Sequence, residues 1–125
     1  MAQGSDSARA TAVVMIALLC VLQLHVAESA VYVVGGGSGW TFNSAGWTKG
    51  KRFRAGDVLV FNYNSAVHNV VAVSAAGYKG CSTPRGSSVL TTGKDRVTLR
   101  KGTNYFICNF AGHCQAGMKM AVTAV

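Results

Sequence analysis

Two cysteines, a histidine and a methionine fall within the segment "CNFAGHCQAGM", residues 108–118. Thiolate, imidazole and thioether groups are ligands that transition metals prefer. Four residues separate Cys108 from His113, and four more separate His113 from Met118, so a strand followed by a loop would direct all three side chains toward one point. A simpler explanation also exists, in which the cysteines form a disulfide loop, His113 is solvated and Met118 belongs to the core.

A fourth ligand has one candidate outside this segment. The chain has three histidines, and His25 lies in an N-terminal segment that we expect to be removed, which leaves His68 before the apolar segment "NVVAV". Two imidazoles and a thiolate with a weak axial methionine are the ligands of a blue copper electron-transfer site, whereas structural zinc prefers four stronger ligands. Taken singly, such a histidine is more often structural and such a methionine more often core. We therefore predict one copper ion, alternating between Cu(I) and Cu(II), with the ligands His68, Cys108, His113 and Met118.

The N-terminal segment has the pattern of a secretory signal peptide. Its apolar run, residues 12–22, is too short to span a bilayer comfortably and is flanked by polar residues. Small residues precede the bond between Ser29 and Ala30, which is the expected cleavage site to within one or two residues. The alternative is a buried N-terminal helix or a membrane anchor. We predict a signal peptide over residues 1–29 and one domain over residues 30–125.

Removal of this leader leaves an odd number of cysteines. Cys20 departs with it, and three cysteines remain in a compartment that oxidises thiols. The cysteine left over would be an intermolecular bridge, a reactive thiol or a metal-bound thiolate. A bridge between Cys108 and Cys114 would leave Cys81 free and would give no role to the nearby histidine and methionine. We therefore favour a disulfide between Cys81 and Cys114, which leaves Cys108 for the metal.

The segments that must position these residues read as strands and turns. The apolar segments after Ala30 are "AVYVV", "DVLVFNY", "NVVAV", "RVTLR", "NYFIC" and "MKMAVTAV", and "GGGSGW" reads as a turn. In "RVTLR" apolar and polar side chains alternate, which is typical of a strand with one solvated face. A short turn of helix is expected around residues 74–79. The pattern predicts an all-β, Greek-key sandwich of about seven strands with at most one or two short helical turns.

The expected mature chain is strongly basic. The full sequence has 12 Lys and Arg against 4 Asp and Glu, and without Arg9, Asp6 and Glu28 the counts become 11 and 2, a net charge of +9. Such a surface favours anionic partners, among them acidic proteins, acidic polysaccharides and membrane surfaces. The charges are scattered and no known nucleic-acid-binding motif organises them, which argues against nucleic acid. The two remaining acids, Asp57 and Asp95, are far apart in sequence and in turn contexts, which argues against a carboxylate pair for hydrolysis.

From Ala30 to Val125 the sequence resembles the phytocyanins, the plant cupredoxins, and in particular their plantacyanin or basic blue protein group. The matching segments are "AVYVVGG", "GWTFN", "KGKRFRAGDVLVFNYN", "HNVV" and "YFICNFAGHCQAGMK". The resemblance implies a copper-binding cupredoxin β-sandwich. The implied site residues are the copper ligands His68, Cys108, His113 and Met118 and the disulfide cysteines Cys81 and Cys114. One departure is Met120, where similar proteins tend to carry an aliphatic residue; it could compete as the axial ligand, but we expect it to fill the core.

These features predict a secreted, extracellular blue copper protein of the apoplast or cell wall that carries single electrons and is not an enzyme. Asn69, beside His68, is expected to support the thiolate or its loop from outside the ligand shell. The expected protein is a monomer without a membrane anchor, and its redox partner is expected to be anionic. The alternatives are a signalling or cell-wall-binding module that uses the basic surface, with copper secondary, and a copper buffer.

Overall fold

A computed structural model of the chain describes residues 28–125, so all but the last two residues of the predicted signal peptide lie outside the described residues. The strands are β1 (Val31–Val33), β2 (Val58–Asn62), β3 (Val70–Val73), β4 (Val89–Leu90), β5 (Lys94–Thr98), β6 (Gly102–Ile107) and β7 (Lys119–Ala124). Six of them coincide with the apolar segments that predicted strands. The short β4 is the one that those segments did not predict.

The strands form two sheets with a shared core. One sheet has the order β1-β2-β5, in which β1 is parallel and β5 antiparallel to β2. The other has the order β4-β3-β6-β7 and is antiparallel throughout. Leu59 and Phe61 of the first sheet and Phe106 and Val122 of the second are buried in one cluster, because alternate side chains of each strand point to the same face. The predicted all-β sandwich is confirmed.

The helical structure is short. The helix α1 (Ala75–Gly80) follows β3, where the sequence predicted a helical turn. The hydroxyl oxygen of Ser74 accepts a hydrogen bond from the Gly77 N–H at 3.1 Å and so caps the helix N-terminus. Two 3-10 turns, Gly36–Ser38 and Ser44–Thr48, precede β2, and the first of them lies in the predicted turn "GGGSGW". Within residues 28–125 no helix is long and apolar enough to cross a membrane.

β5 begins two residues before the segment "RVTLR" that predicted it, and it includes Asp95. The turn context expected for Asp95 is therefore wrong: this residue pairs with Phe61 in the sheet and is only 6% exposed. Its carboxylate accepts hydrogen bonds from the Tyr63 hydroxyl and, at 2.7 Å, from the hydroxyl of Thr92. Burial, together with the hydrogen bond to Asp95, raises the pKa of Tyr63 to about 12. An inward-facing aspartate is tolerated in this strand because hydroxyl groups satisfy it.

The other acid of the predicted domain is buried as well. Asp57 is 2% exposed and precedes β2, and its two carboxylate oxygens accept the Ala30 N–H at 2.9 Å and the Arg54 N–H at 2.8 Å. Since Asp57 and Asp95 are the acidic residues of segment 30–125, the charged side chains on the surface of that segment are all basic. The net charge was evident from the sequence, but this uniform sign was not.

Candidate metal centre

Three ligand atoms converge where β6 ends. The sulfur of Cys108 lies 3.6 Å from Nδ1 of His113, and this nitrogen lies 3.2 Å from Nδ1 of His68. All three atoms lie within 4.8 Å of one another. Cys108 is fully buried, and the two imidazoles are half-buried. Two ring nitrogens that face each other beside a thiol form a donor set that a single transition-metal ion satisfies.

His68 is held by a turn in the loop between β2 and β3. The side-chain oxygen of Asn64 accepts the Ala66 N–H at 3.0 Å, which is the bond of an Asx turn. The Asn64 carbonyl accepts the N–H groups of Val67 at 3.2 Å and of His68 at 3.0 Å. The backbone around His68 is therefore held by hydrogen bonds to Asn64.

The other ligands lie on a loop that is closed by its own backbone. The Cys108 N–H donates to the Met118 carbonyl at 3.1 Å, and the Met118 N–H donates to the His113 carbonyl at 3.0 Å. Gly117 has a φ of +103°, a conformation that other residues rarely adopt, and its carbonyl accepts the Asn43 N–H at 3.1 Å. These bonds bring Met118 back beside Cys108, so the four-residue spacings of the sequence close into one site.

Met118 and Met120 have different surroundings, although both are fully buried. Met118 lies just before β7 and its backbone is bonded to Cys108 and His113. Met120 lies within β7, opposite Phe106 of β6, in the core between the sheets. Met118 is therefore the methionine whose backbone is part of the ligand loop, as expected for the axial ligand, and Met120 has the core position expected for it.

The ionisation of His68 suits a metal ligand. Burial, and then the charge of the neighbouring His113, lower the pKa of His68 below its ordinary value of 6.5. A metal binds the neutral imidazole, since the protonated ring has no lone pair to offer. The surroundings of His68 thus favour its ligand form at neutral pH.

Asn69 links the two ligand segments. Its side-chain oxygen accepts the Asn109 N–H at 2.9 Å, and its amide nitrogen donates to the side-chain oxygen of Asn109. Its backbone carbonyl accepts the indole N–H of Trp40 at 2.9 Å. Because Asn109 follows Cys108 directly, Asn69 supports the loop of the thiol ligand, which is one of the two roles expected for it.

A disulfide joins Cys81 and Cys114, with sulfur atoms 2.08 Å apart. This is the pairing that the resemblance implies. Cys81 ends α1, and Cys114 follows His113 directly, so the bond ties the ligand loop to the helix. Among residues 28–125 the free cysteine is Cys108, which leaves its thiol for a metal.

Aromatic rings cover the two imidazoles, a feature that sequence reasoning missed. The ring centroid of Phe42 lies 5.8 Å from that of His68 and 5.1 Å from that of His113. Phe110 stacks on His113 with centroids 5.8 Å apart. These rings restrict the rotation of the histidines and keep water from their faces. Phe42 belongs to the segment "GWTFN" that carries the family resemblance, but nothing in that segment indicated a contact with the metal site.

Comparison with known proteins agrees with this geometry. A family model of the plastocyanin-like domain matches residues 40–118, a span that includes all four predicted ligands. The chain is 60% identical over 125 residues to a chemocyanin of Lilium longiflorum, with 99% of each chain covered. It is 62% identical over 96 residues to a basic blue protein of Cucumis sativus, which covers 77% of this chain and 100% of the relative.

Among solved structures, spinach plantacyanin superimposes with a TM-score of 0.68 at 53% identity, covering 77% of this chain and 100% of that one. The predicted ligands and the fold of these relatives agree. His68, Cys108, His113 and Met118 are positioned to bind one copper ion. The chain belongs to the plastocyanin-like family of blue copper proteins, as a phytocyanin of the plantacyanin and basic blue protein group.

Proposed function

We propose that the protein is a secreted carrier of single electrons and not an enzyme. The observation that carries this proposal is the convergence of three ligand atoms within 4.8 Å on two loops. Bound copper supplies a one-electron Cu(I)/Cu(II) couple. The loops are held by the chain's own hydrogen bonds, so the positions of the ligands need to change little between redox states. A site that is organised in advance in this way favours rapid transfer.

The histidine side of the site faces the surface, which supports it as the route for electrons. Cys108 is fully buried, whereas His68 and His113 are half-buried. Phe42 and Val67, next to these rings in space or in sequence, are 37% and 44% exposed. A partner that packs on this small apolar surface would approach the imidazoles and not the thiol.

The axial ligand offers a direct test of the site. Replacing Met118 by glutamine is expected to preserve copper binding and the blue colour but to lower the reduction potential, because a harder oxygen donor favours Cu(II). Met120→Leu is the matched control and is expected to change the potential little. Redox titration of both variants measures the effect. If Met120→Leu shifts the reduction potential more than Met118→Gln does, Met120 and not Met118 is the axial ligand.

The partner of the carrier is proposed to be anionic. Arg54 and Lys94 are two of the surface cations, and they lie at opposite ends of the sandwich. Lys94 pairs with Asn62, where β2 leads into the ligand loop. Arg54 follows Phe53, which bridges to Ala124 at the far end of β7. Lys94 and Arg54 therefore form a matched pair for testing at which end of the sandwich charge steers a partner.

Reduction by ascorbate, an anionic donor, is expected to be fast at low ionic strength and to slow steeply as salt is added. At about 0.1 M ionic strength, where charges are screened beyond about 10 Å, Lys94→Glu is expected to slow the reaction severalfold and Arg54→Glu to change it little. Stopped-flow measurement of the bleaching of the blue band provides the rates. A rate that is independent of salt, or equal effects of the two reversals, would argue against steering at the copper end.

The uniformly basic surface also favours a second candidate, an extracellular signalling or cell-wall-binding module in which copper is secondary. A parallel assay of copper-loaded protein, copper-free His113→Ala protein and the charge-reversed variants separates the two functions. Full biological activity of the copper-free form, with loss on charge reversal, would favour the module. Loss of activity in the copper-free form, with the fold intact, would favour the electron carrier.

Cleavage of the predicted signal peptide would leave an exported chain that begins near Ala30, and two observations support a start at this residue. The Cucumis relative matches over its whole length with 96 residues, which is the number from Ala30 to Val125. The Ala30 nitrogen lies 2.9 Å from a carboxylate oxygen of the buried Asp57. Cleavage before Ala30 would turn this nitrogen into an ammonium group, and the hydrogen bond would become an ion pair.

We therefore expect the protein that begins with a free Ala30 amine to be more stable than its Nα-acetylated form by about 1 kcal/mol, because the ammonium strengthens the hydrogen bond to a charged partner. Asp57→Asn is expected to abolish this difference. Urea unfolding of the four proteins measures both effects, and mass spectrometry of the exported protein gives its first residue. Equal stability of the amine and acetylated forms would contradict the ion pair.

A further inference from the structure

A concave surface, separate from the metal centre, lies along the open side of the sandwich. It is between β5 of one sheet and β3 and β6 of the other. The strand β4 pairs only with Val70 and Val71 of β3, so within residues 28–125 no strand lies beside the next residue, Ala72, on that edge. β5 is likewise the last strand of its sheet. The two sheets therefore leave a cleft where neither edge is covered by a neighbouring strand.

The cleft has two adjacent parts, with volumes of about 470 Å³ and about 290 Å³. Both parts are lined by Ala72, Val97, Thr98 and Phe106, so they are adjacent. Ala72 is exposed although its partner in the sheet, Phe106, is buried. The small side chain of Ala72 keeps the cleft open, and a larger side chain at this position would fill it.

The smaller part of the cleft is mainly apolar, the larger part also has polar side chains such as Thr103 and Asn104, and cations line both parts. Val70 and Leu90 extend the floor in the smaller part. Arg96 lines that part, and Arg100 and Lys101 line the larger one. No acidic residue among residues 28–125 lines either part, and both acids of segment 30–125 are buried elsewhere. A mainly apolar part beside a more polar part that carries cations complements a molecule that has an apolar body and an anionic head.

We propose that this cleft binds an amphipathic anion, a carboxylate with an aliphatic body. The body lies on Ala72, Val97 and Leu90, which are exposed or half-buried, and there it removes apolar surface from water. The carboxylate lies at the rim, where Arg100 and Lys101 supply charge without a competing acid. None of the four copper ligands lines the cleft, so this site is separate from the copper site and independent of the proposed electron transfer.

Titration calorimetry of the copper-loaded protein with dodecanoate, below its micelle concentration, tests the proposal. Dodecanoate is expected to bind saturably with one-to-one stoichiometry, whereas acetate, which has the head without the body, and dodecyltrimethylammonium, which has the opposite charge, are not. The blue absorption is expected to stay unchanged throughout. Binding of acetate as tight as that of dodecanoate would reduce the site to an anion contact and overturn the proposal.

Substitutions at the floor and the rim locate the site. Ala72→Leu is expected to weaken dodecanoate binding about tenfold by filling the space of one or two methylene groups, and the double substitution Arg100→Gln with Lys101→Gln is expected to weaken it as well. Ala76→Leu, on the exposed face of α1, and Lys49→Gln are the matched controls that should leave it unchanged. Thermal unfolding verifies that each variant is folded.

Two further results would overturn the proposal. Equal weakening by Lys49→Gln would mean that the ligand responds to net charge and not to the cleft. The cleft would be assigned to a polymer if the protein bound an acidic polysaccharide such as polygalacturonate but not dodecanoate, and if Ala72→Leu abolished that binding. The proposal is supported if Ala72→Leu weakens dodecanoate binding and the control Ala76→Leu does not.

Discussion

Cys108→Ser is expected to abolish the intense blue absorption while the protein stays folded. The colour and much of the covalency of a blue copper site come from the bond between the thiolate and copper, and a hydroxyl group supplies neither. Serine is close to cysteine in size, and the backbone bond from residue 108 to the Met118 carbonyl does not depend on the side chain. The structural change at this buried position is therefore small.

Visible absorption and copper content of Cys108→Ser, beside circular dichroism, measure colour, metal and fold separately. Met120→Leu is the control, because Met120 lies in the core and is the methionine that we do not expect to be a ligand. A blue band that persists in Cys108→Ser would show that another residue provides the thiolate. If Cys108→Ser loses both its fold and its colour, the same measurements are made on a second variant, Cys108→Ala. The apolar side chain of alanine suits this fully buried position.

Removal of the disulfide is expected to have the second-largest effect. Cys81 and Cys114 are separated by 33 residues, and closing a loop of that length stabilises a protein by about 3 to 4 kcal/mol in the chain-entropy account. The double substitution Cys81→Ala with Cys114→Ala is expected to lose that amount. Both cysteines are replaced together so that neither thiol is left to pair with Cys108.

Urea unfolding of the copper-free protein provides the measurement, because bound metal would add its own stabilisation to the native state. Peptide mapping without reduction is expected to link Cys81 to Cys114, and a fragment that joins Cys108 to either cysteine would refute the assignment. A loss of stability below about 1 kcal/mol would mean that the packing of α1 on the sheet, and not the loop closure, holds this region together.

The strands that the sequence predicted well are those whose information is local. Alternation of apolar and polar side chains repeats every two residues, so a single segment such as β7 reveals its own periodicity. The two-residue β4 carries no periodicity and exists because β3 offers it an edge to pair with. Asp95 was misplaced for a related reason: its inward position depends on the Tyr63 hydroxyl, a partner 32 residues away.

The copper ligands were predictable because three of them are close together in the chain. The spacing from Cys108 through His113 to Met118 describes one closed loop, and the fourth ligand followed from the scarcity of histidine. The contacts that support the ligands join segments that are distant in sequence, so the sequence did not reveal most of them. Asn69 contacts Asn109, 40 residues away, and the rings over the imidazoles include Phe42, far from both histidines in sequence.

The sequence by itself determined the ligand types, the odd cysteine, the class of fold and the net charge, since each depends on composition or on spacing within a short segment. Only the tertiary structure decided that both acids of the domain are buried, that Lys94 and Arg54 lie at opposite ends, and that an uncovered edge beside Ala72 leaves a cleft with a cationic rim. These properties depend on which side chains from distant segments face each other or face water. Pairing of strands sets that arrangement, and no local pattern encodes it.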